Sequence, residues 1–257
     1  MNNLNKKVIL KVVGLTKFFG SVQALNNVSF EIYNNEIVGI VGDNGAGKST
    51  LIKIISGNFP PNSGEIYLNG NRINFHTPTD ARREGIETVY QDLSLCNNLD
   101  SISNLFIGRE IYRNFLGLKF LRKKEMEAKT LKVMDEIDID LPSVKEKVEF
   151  LSGGQRQAVS LGRFIAWGQR LILLDEPTAA LGVRETRKVL DLILKIEKEK
   201  SIPIILISHN IQQVFEIAER IIVLRHGEIA GIREKNLTNP DEIVSLITGA
   251  ISSNNKN

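Results

Sequence analysis

Between an apolar run at residues 36–41 and an apolar-rich stretch at 49–56 the chain carries Gly42-Asp43-Asn44-Gly45-Ala46-Gly47-Lys48-Ser49. The run of Ile and Val before it predicts a short buried strand, and the stretch after it predicts a helix over 49–56. Three glycines between a strand end and a helix start let backbone N–H groups wrap an anion without side-chain clash. The helix N-terminus adds partial positive charge at the same point. Lys48 and Ser49 complete the G-x-x-x-x-G-K-[ST] pattern. The lysine can reach β- and γ-phosphates, and the Ser49 hydroxyl can bind Mg²⁺ beside them. A bare Gly-rich turn is the alternative, and the strand–loop–helix context argues against it.

A second signal lies in the last third. Residues 171–174 are Leu-Ile-Leu-Leu, followed by Asp175-Glu176-Pro177. An apolar strand ending in two acids sits where parallel-sheet proteins place their ligands. Neighbouring strand residues point to opposite faces, so the two acids have separate tasks. Asp175 suits the Mg²⁺ shell, and Glu176 is then free to polarise an attacking water.

The rest of the pattern is α/β. Residues 8–13 and 28–32 are β-rich, 64–70 reads as strand plus turn, and 204–207 as a buried strand. Helices are expected over 185–200 and 211–219, and a hairpin over 220–230 turning at His226-Gly227. His76 and His226 stand in turn-like contexts and are expected at the surface. Residues 101–138 read as helical throughout, with Leu131, Met134 and Ile137 on one face. Strand–helix alternation at both ends predicts a parallel-sheet core with an N-terminal antiparallel β part and an inserted α-helical subdomain. The expected organisation is one domain over 1–257, the insertion at about 92–160 and a flexible tail at 250–257.

Composition narrows the class. Hydrophobic residues make up 42% and charged residues 25%, values of an ordinary folded domain. The net charge of +3 is too small to argue for a nucleic-acid partner. The one cysteine, Cys96, excludes an internal disulfide. Residues 8–13 are too short, and too broken by Lys11, for a secretory segment. No run of about 18 apolar residues occurs, so a membrane role is expected to come through a partner.

Leu151-Ser152-Gly153-Gly154-Gln155, after the phosphate loop and before the acidic pair, decides the family. With it the chain resembles the ABC transporter ATPases from about residue 8 to residue 249. Two glycines at the start of a predicted helix, 155–167, would make a second anion-binding surface.

The resemblance implies further roles. Phe19, with Phe18 as its rival, matches the aromatic that stacks on adenine. Gln91 matches the glutamine that touches Mg²⁺ and water and links the core to the helical subdomain. His209 matches the switch histidine at the γ-phosphate. The implied catalytic set is Glu176, His209 and Lys48. The implied metal set is Ser49, Gln91 and Asp175. The nucleotide set is Phe19, the loop from Gly42 to Ser49, Thr50 and Gln91, completed across a head-to-tail dimer by Ser152, Gly153, Gly154 and Gln155 of a second copy.

ATP and Mg²⁺ are the implied cofactors. The implied partners are a second ATPase subunit, transmembrane permease subunits and, indirectly, an external sugar-binding protein, with the chain on the cytoplasmic face of the cell membrane. A coupling helix of the permease would enter a groove near Gln91. One departure stands out: the family often has Asp where Ala179-Ala180-Leu181-Gly182 ends in glycine. Residues 75–86, Val89-Tyr90-Gln91-Asp92 and residues 104–110 resemble the simple-sugar import branch. The other readings are a soluble mechanical ATPase of the same superfamily, an exporter ATPase and a phosphate-loop kinase.

Overall fold

A computed structural model describes residues 6–90, 95–137, 141–167, 170–179 and 181–251, the side chain of Phe164 excepted. The chain divides into two compact units, one made of Met1–Thr88, Gln169–Glu176 and Ile193–Asn257, the other of Val89–Gly168 and Pro177–Leu192.

The first unit contains two sheets. The antiparallel one joins β1 (Val8–Phe19) and β2 (Val22–Tyr33) to β4 (Ser63–Leu68) and β5 (Asn71–Ile73), in the order β2-β1-β4-β5. The strands β1 and β2 run well beyond the β-rich cores at 8–13 and 28–32. Register shifts along the pair absorb the polar residues that hid this from pattern reading. The second sheet takes β3 (Ile37–Val41), β6 (Ile86–Val89), β9 (Leu171–Asp175), β10 (Ile204–Ile207), β11 (Arg220–Arg225) and β12 (Glu228–Glu234). Its order is β12-β11-β3-β10-β9-β6. The pairs β11–β3, β3–β10 and β10–β9 are parallel, and β12 is an antiparallel edge.

Every residue of β3, β9 and β10 is buried, which is why these strands read as unbroken apolar runs. Around the sheet run α1 (Lys48–Ile55), α2 (Pro78–Arg83), α7 (Ile211–Ile217) and α8 (Pro240–Thr248). Asn210 and Asn239 cap α7 and α8, each accepting from the N–H three residues on. Helix α6 (Val183–Lys200) is divided between the units, its residues from Ile193 onward belonging to this one.

The second unit holds α3 (Ser101–Phe106), α4 (Lys123–Glu136) and α5 (Gly153–Trp167). Phe106 meets Trp167 edge to face at 5.3 Å, and the Trp167 indole N–H donates to Leu105 O at 2.9 Å. The helical expectation for 101–138 needs correction. A hairpin of β7 (Tyr112–Phe115) and β8 (Leu118–Leu121) interrupts it. The face assigned to α4 is corrected too. Met134 and Ile137 are buried, but Leu131 is 51% exposed. At about 100° per residue Leu131 lies roughly 60° outside the arc of Met126, Thr130, Val133, Met134 and Ile137. Among the described residues no helix is long and apolar enough to cross a membrane.

Gly39, in the middle of β3, lets α7 approach closely. A Cβ there would overlap Val214 Cγ1 and lie 3.5 Å from Ala218 Cβ. Gly39→Ala is therefore expected to cost roughly 1–3 kcal/mol in denaturant unfolding. Val214→Ala in the same chain should recover about 1 kcal/mol of it, a coupling that a double-mutant cycle measures.

Candidate functional site

In the first unit β3 ends at Val41, and the glycine loop then turns into α1. Ala46 N–H donates to Asp43 O at 3.1 Å, and Leu51 N–H to Gly47 O at 2.9 Å. Gly47 is the N-cap of α1, with φ 104°. A Cβ there would stand 2.6 Å from Ala24 O and 2.8 Å from Leu25 Cδ2, so β2 presses on the loop from one side. The β11–β12 turn presses from another. Gly227 N–H donates to Ala46 O at 3.1 Å and Asn26 N–H to Gly227 O at 2.8 Å, while a Cβ on Gly42 would overlap Leu224 O. The sequence placed a turn at His226-Gly227 and His226 at the surface, and the structure agrees. It did not reveal that Gly227 braces the loop. A glycine after a turn histidine carries no signal of what it packs against.

Asp43, Asn44 and Gly45 crest the loop and are exposed, as is Ser49, with Thr50 half-buried behind it. Lys48 is buried, and its Nζ donates to Gly42 O at 2.7 Å and Asp43 O at 3.0 Å. Burial pushes its pKa down. The charges of Glu176, Asp175 and Asp43 oppose that shift.

The acidic pair ends β9 beside this loop. Parallel registry pairs Ile207 of β10 with both Ile40 of β3 and Asp175 of β9. Asp175 is 7% exposed. Burial raises its pKa first and the neighbouring Glu176 charge second, while Lys53 and Lys48 pull it down. Glu176 N–H donates to Ile207 O at 3.0 Å, and its φ of 54° places a non-glycine residue in the left-handed region. From there its Oε2 meets His209 Nδ1 at 2.8 Å. His209 follows β10 and is well exposed. The structure thus brings together the phosphate loop with Lys48, the pair Asp175 and Glu176, and His209.

Phe19 stands at the tip of the β1–β2 hairpin, 48% exposed. Two residues earlier Lys17 pairs in register with Leu25, which touches Gly47, so the tip flanks the loop. Phe19 packs edge to face on Phe59 at 5.4 Å, with Lys17 Nζ 5.4 Å from its ring centre and 4.9 Å from that of Phe59. Phe18 is exposed as well. The share of Phe59 was not read from the sequence, although an aromatic before Pro60-Pro61 was a visible cue.

The second unit carries Ser152, Gly153, Gly154 and Gln155 at the start of α5. Ser152 and Gln155 form a reciprocal cap: Ser152 N–H donates to Gln155 Oε1 at 3.0 Å, and Gln155 N–H to Ser152 Oγ at 3.2 Å. The capping leaves the first N–H groups of the helix, on the two glycines, facing outward from its end. Buried Gln157, not singled out from the sequence, donates to Pro177 O and ties α5 to the segment after the acidic pair. The Glu185 side chain lies over both Gly154 and Gly182. A Cβ on Gly182 would be 2.7 Å from Glu185 Oε2, and one on Gly154 3.1 Å from its Cγ. Gln91 lies outside the described residues. Among those residues no group of three or more His, Cys, Asp or Glu is placed to hold a metal.

The profile of the ABC transporter family matches residues 25–179. The chain is 46% identical over 240 residues to a xylose/arabinose import ATP-binding protein of Sulfolobus acidocaldarius, covering 93% of this chain and 94% of that one. It is 44% identical over 247 residues to a fructose import ATP-binding protein of Rhizobium meliloti, covering 94% of each. Against a ribose import ATP-binding protein of Caldanaerobacter subterraneus it is 36% identical and spans 48% of that relative's length. Among solved structures, a dimeric ATP-binding cassette in a post-hydrolysis state bound to ADP and Pi superposes with TM-score 0.75. It is 29% identical, and the match covers 88% of this chain and 99% of that one.

Burial disfavours the charged form of Asp175. Its raised pKa means the stabilising contribution of the neutral carboxyl is fully present below the unfolded value near 3.8 and is lost as pH rises through the folded pKa. Asp175→Asn should therefore raise the thermal midpoint of the ligand-free protein at neutral pH. The gain should fade as the pH falls through the folded pKa and be gone below about 3.8 in calorimetry.

Proposed function

Because the chain belongs to the ABC transporter family, we propose that it is the ATP-binding and ATP-hydrolysing subunit of an importer whose cargo is a monosaccharide. The observation that carries the ATPase reading is the alignment of Lys48, Asp175 and the Glu176–His209 pair at the ends of three adjacent strands. The import reading is supported by relatives of nearly equal length that are named for xylose/arabinose and fructose import.

Each residue has a task that fits its surroundings. The loop from Gly42 to Ser49 offers N–H groups to the phosphates, with Thr50 behind it and Phe19 as the adenine platform. Lys48 exchanges its two carbonyl partners for phosphate oxygens, which relieves a buried ammonium. Glu176 spends Oε2 on His209, so Oε1 is the oxygen that accepts from the attacking water and orients it. His209 holds that carboxylate in place and stands exposed enough to meet the γ-phosphate.

The donor set also fits Mg²⁺. A buried carboxylate whose charge is costly, together with an exposed serine hydroxyl on α1, suits a hard cation that keeps several waters. Ser49 and Asp175 would hold it, with Gln91 as the third ligand. When bound, it neutralises charge on the phosphate oxygens.

The start of α5 completes the site of a second copy. Ser152 and Gln155 fix the helix end by capping each other, and Gly153 and Gly154 give their N–H groups to the partner's γ-phosphate. A dimeric cassette among the similar structures supports this arrangement. Closure of the pair drives permease subunits to which the chain binds on the cytoplasmic face of the membrane, and these receive sugar from an external binding protein. In this reading the second unit is the helical subdomain inserted into a single ATPase domain.

Steady-state ATPase activity is the test. Glu176→Gln should lower turnover at least about hundredfold, and size-exclusion chromatography in Mg-ATP should show that variant as a dimer. Unchanged turnover with a monomeric elution profile would remove Glu176 from the reaction and the dimer from the mechanism.

A further inference from the structure

The second unit carries a surface for which the nucleotide site has no use. All the strand residues of β7 and β8 are exposed. Their register pairs Arg113 with Phe120 and Phe115 with Leu118 on one face. Tyr112 pairs with Leu121, and Asn114 with Lys119, on the other. Both faces therefore present large apolar groups to water, and the turn between them does so most of all. Leu116 is 87% exposed.

The turn itself is informative. Leu116 has φ 49° and Gly117 φ 78°, so both central residues of this two-residue hairpin loop lie in the left-handed region. Asn-Gly is the pair that suits such a turn. Leucine strains the backbone there and exposes its whole side chain. A chain that needed only the turn is better served by asparagine, so the leucine answers to something outside the chain.

The charge is concentrated in the same place. Residues 109–124 hold six basic side chains against the single acid Glu110, a net +5, whereas the whole chain is +3 and the remainder therefore −2. Arg122 pairs with Glu125, and Arg109 stacks on Trp167. Arg113 and Lys119 stand on the strands themselves, and Lys123 and Lys124 open α4 directly behind them.

We propose that this hairpin is a membrane-contact element. Phe115, Leu116 and Leu118 enter the interface of an anionic bilayer, and the flanking basic side chains hold its headgroup phosphates. A rigid protein groove would cover one face of a two-stranded ribbon and leave the apolar groups of the other in water, whereas a fluid interface covers both faces and the tip together. A nucleic acid would account for the charges and the aromatic rings, but not for aliphatic Leu116 and Leu118. The importer reading supplies only the nearby membrane; the lipid contact needs no nucleotide.

Flotation of the full chain with lipid vesicles, without nucleotide, tests this. Leu116→Asn removes the apolar tip with a residue that fits the left-handed turn, and Arg113→Glu with Lys119→Glu reverses the strand charge. Wild type should bind vesicles containing about one-third phosphatidylglycerol at least about tenfold more tightly than pure phosphatidylcholine, and less so as salt rises. Both variants should lose that preference and keep the wild-type ATPase rate in solution. Absence of wild-type flotation, or equal flotation of all three proteins, overturns the proposal. Absence of flotation together with failure of Leu116→Asn to assemble with the permease overturns it in favour of a protein partner. Wild-type flotation without ATPase activity would support the lipid contact and sink the hydrolase reading instead.

Discussion

Three buried strands, β3, β10 and β9, lie side by side in parallel register, and the site depends on that registry. Ile207 is level with Ile40 on one side and with Asp175 on the other. The segments leaving the three strands are the phosphate loop, the turn with His209 and the acidic pair. A slip of one residue in either pairing would turn every side chain to the opposite face and pull Asp175 away from the lysines it faces. The apolar burial that forbids such a slip is the ordinary hydrophobic effect acting on Ile, Val and Leu. The chemistry is thus positioned by residues with no chemistry of their own.

Electrostatics works against stability at the same place. Burial raises the pKa of Asp175 and lowers that of Lys48, and Glu176 occupies a backbone region that glycine favours. Each of these costs the ligand-free fold something. A site that is uncomfortable when empty binds its ligand with part of that discomfort released.

The sequence made legible the parts whose function demands a local pattern. The glycine loop needs a strand before it and a helix after it, and Leu151 to Gln155 stands out by its order between that loop and the acidic pair. What stayed hidden was set by tertiary contact or by ambiguous periodicity. Residues 112–121 are rich in Leu and Phe, which suit helix or strand, and Leu116-Gly117 is not a usual turn pair. A three-residue step from Leu131 drifts off the buried face of α4 because a helix turns in 3.6 residues. Gln157, Glu185 and Phe59 act on partners far along the chain, and no local pattern names them.

The brace of Gly227 on Ala46 joins positions far apart in the chain. The glycine loop is translated early, between β3 and α1, yet two of its walls are Leu224 and Gly227, and both neighbours of β3 in the sheet, β10 and β11, come from the last quarter of the chain. On the ribosome the loop emerges long before the residues that shape it. A nascent chain therefore displays the glycine-lysine sequence without the cradle, and nucleotide affinity arrives late in synthesis, when the final hairpin clears the exit tunnel. A product truncated before that hairpin keeps the whole motif and lacks the pocket.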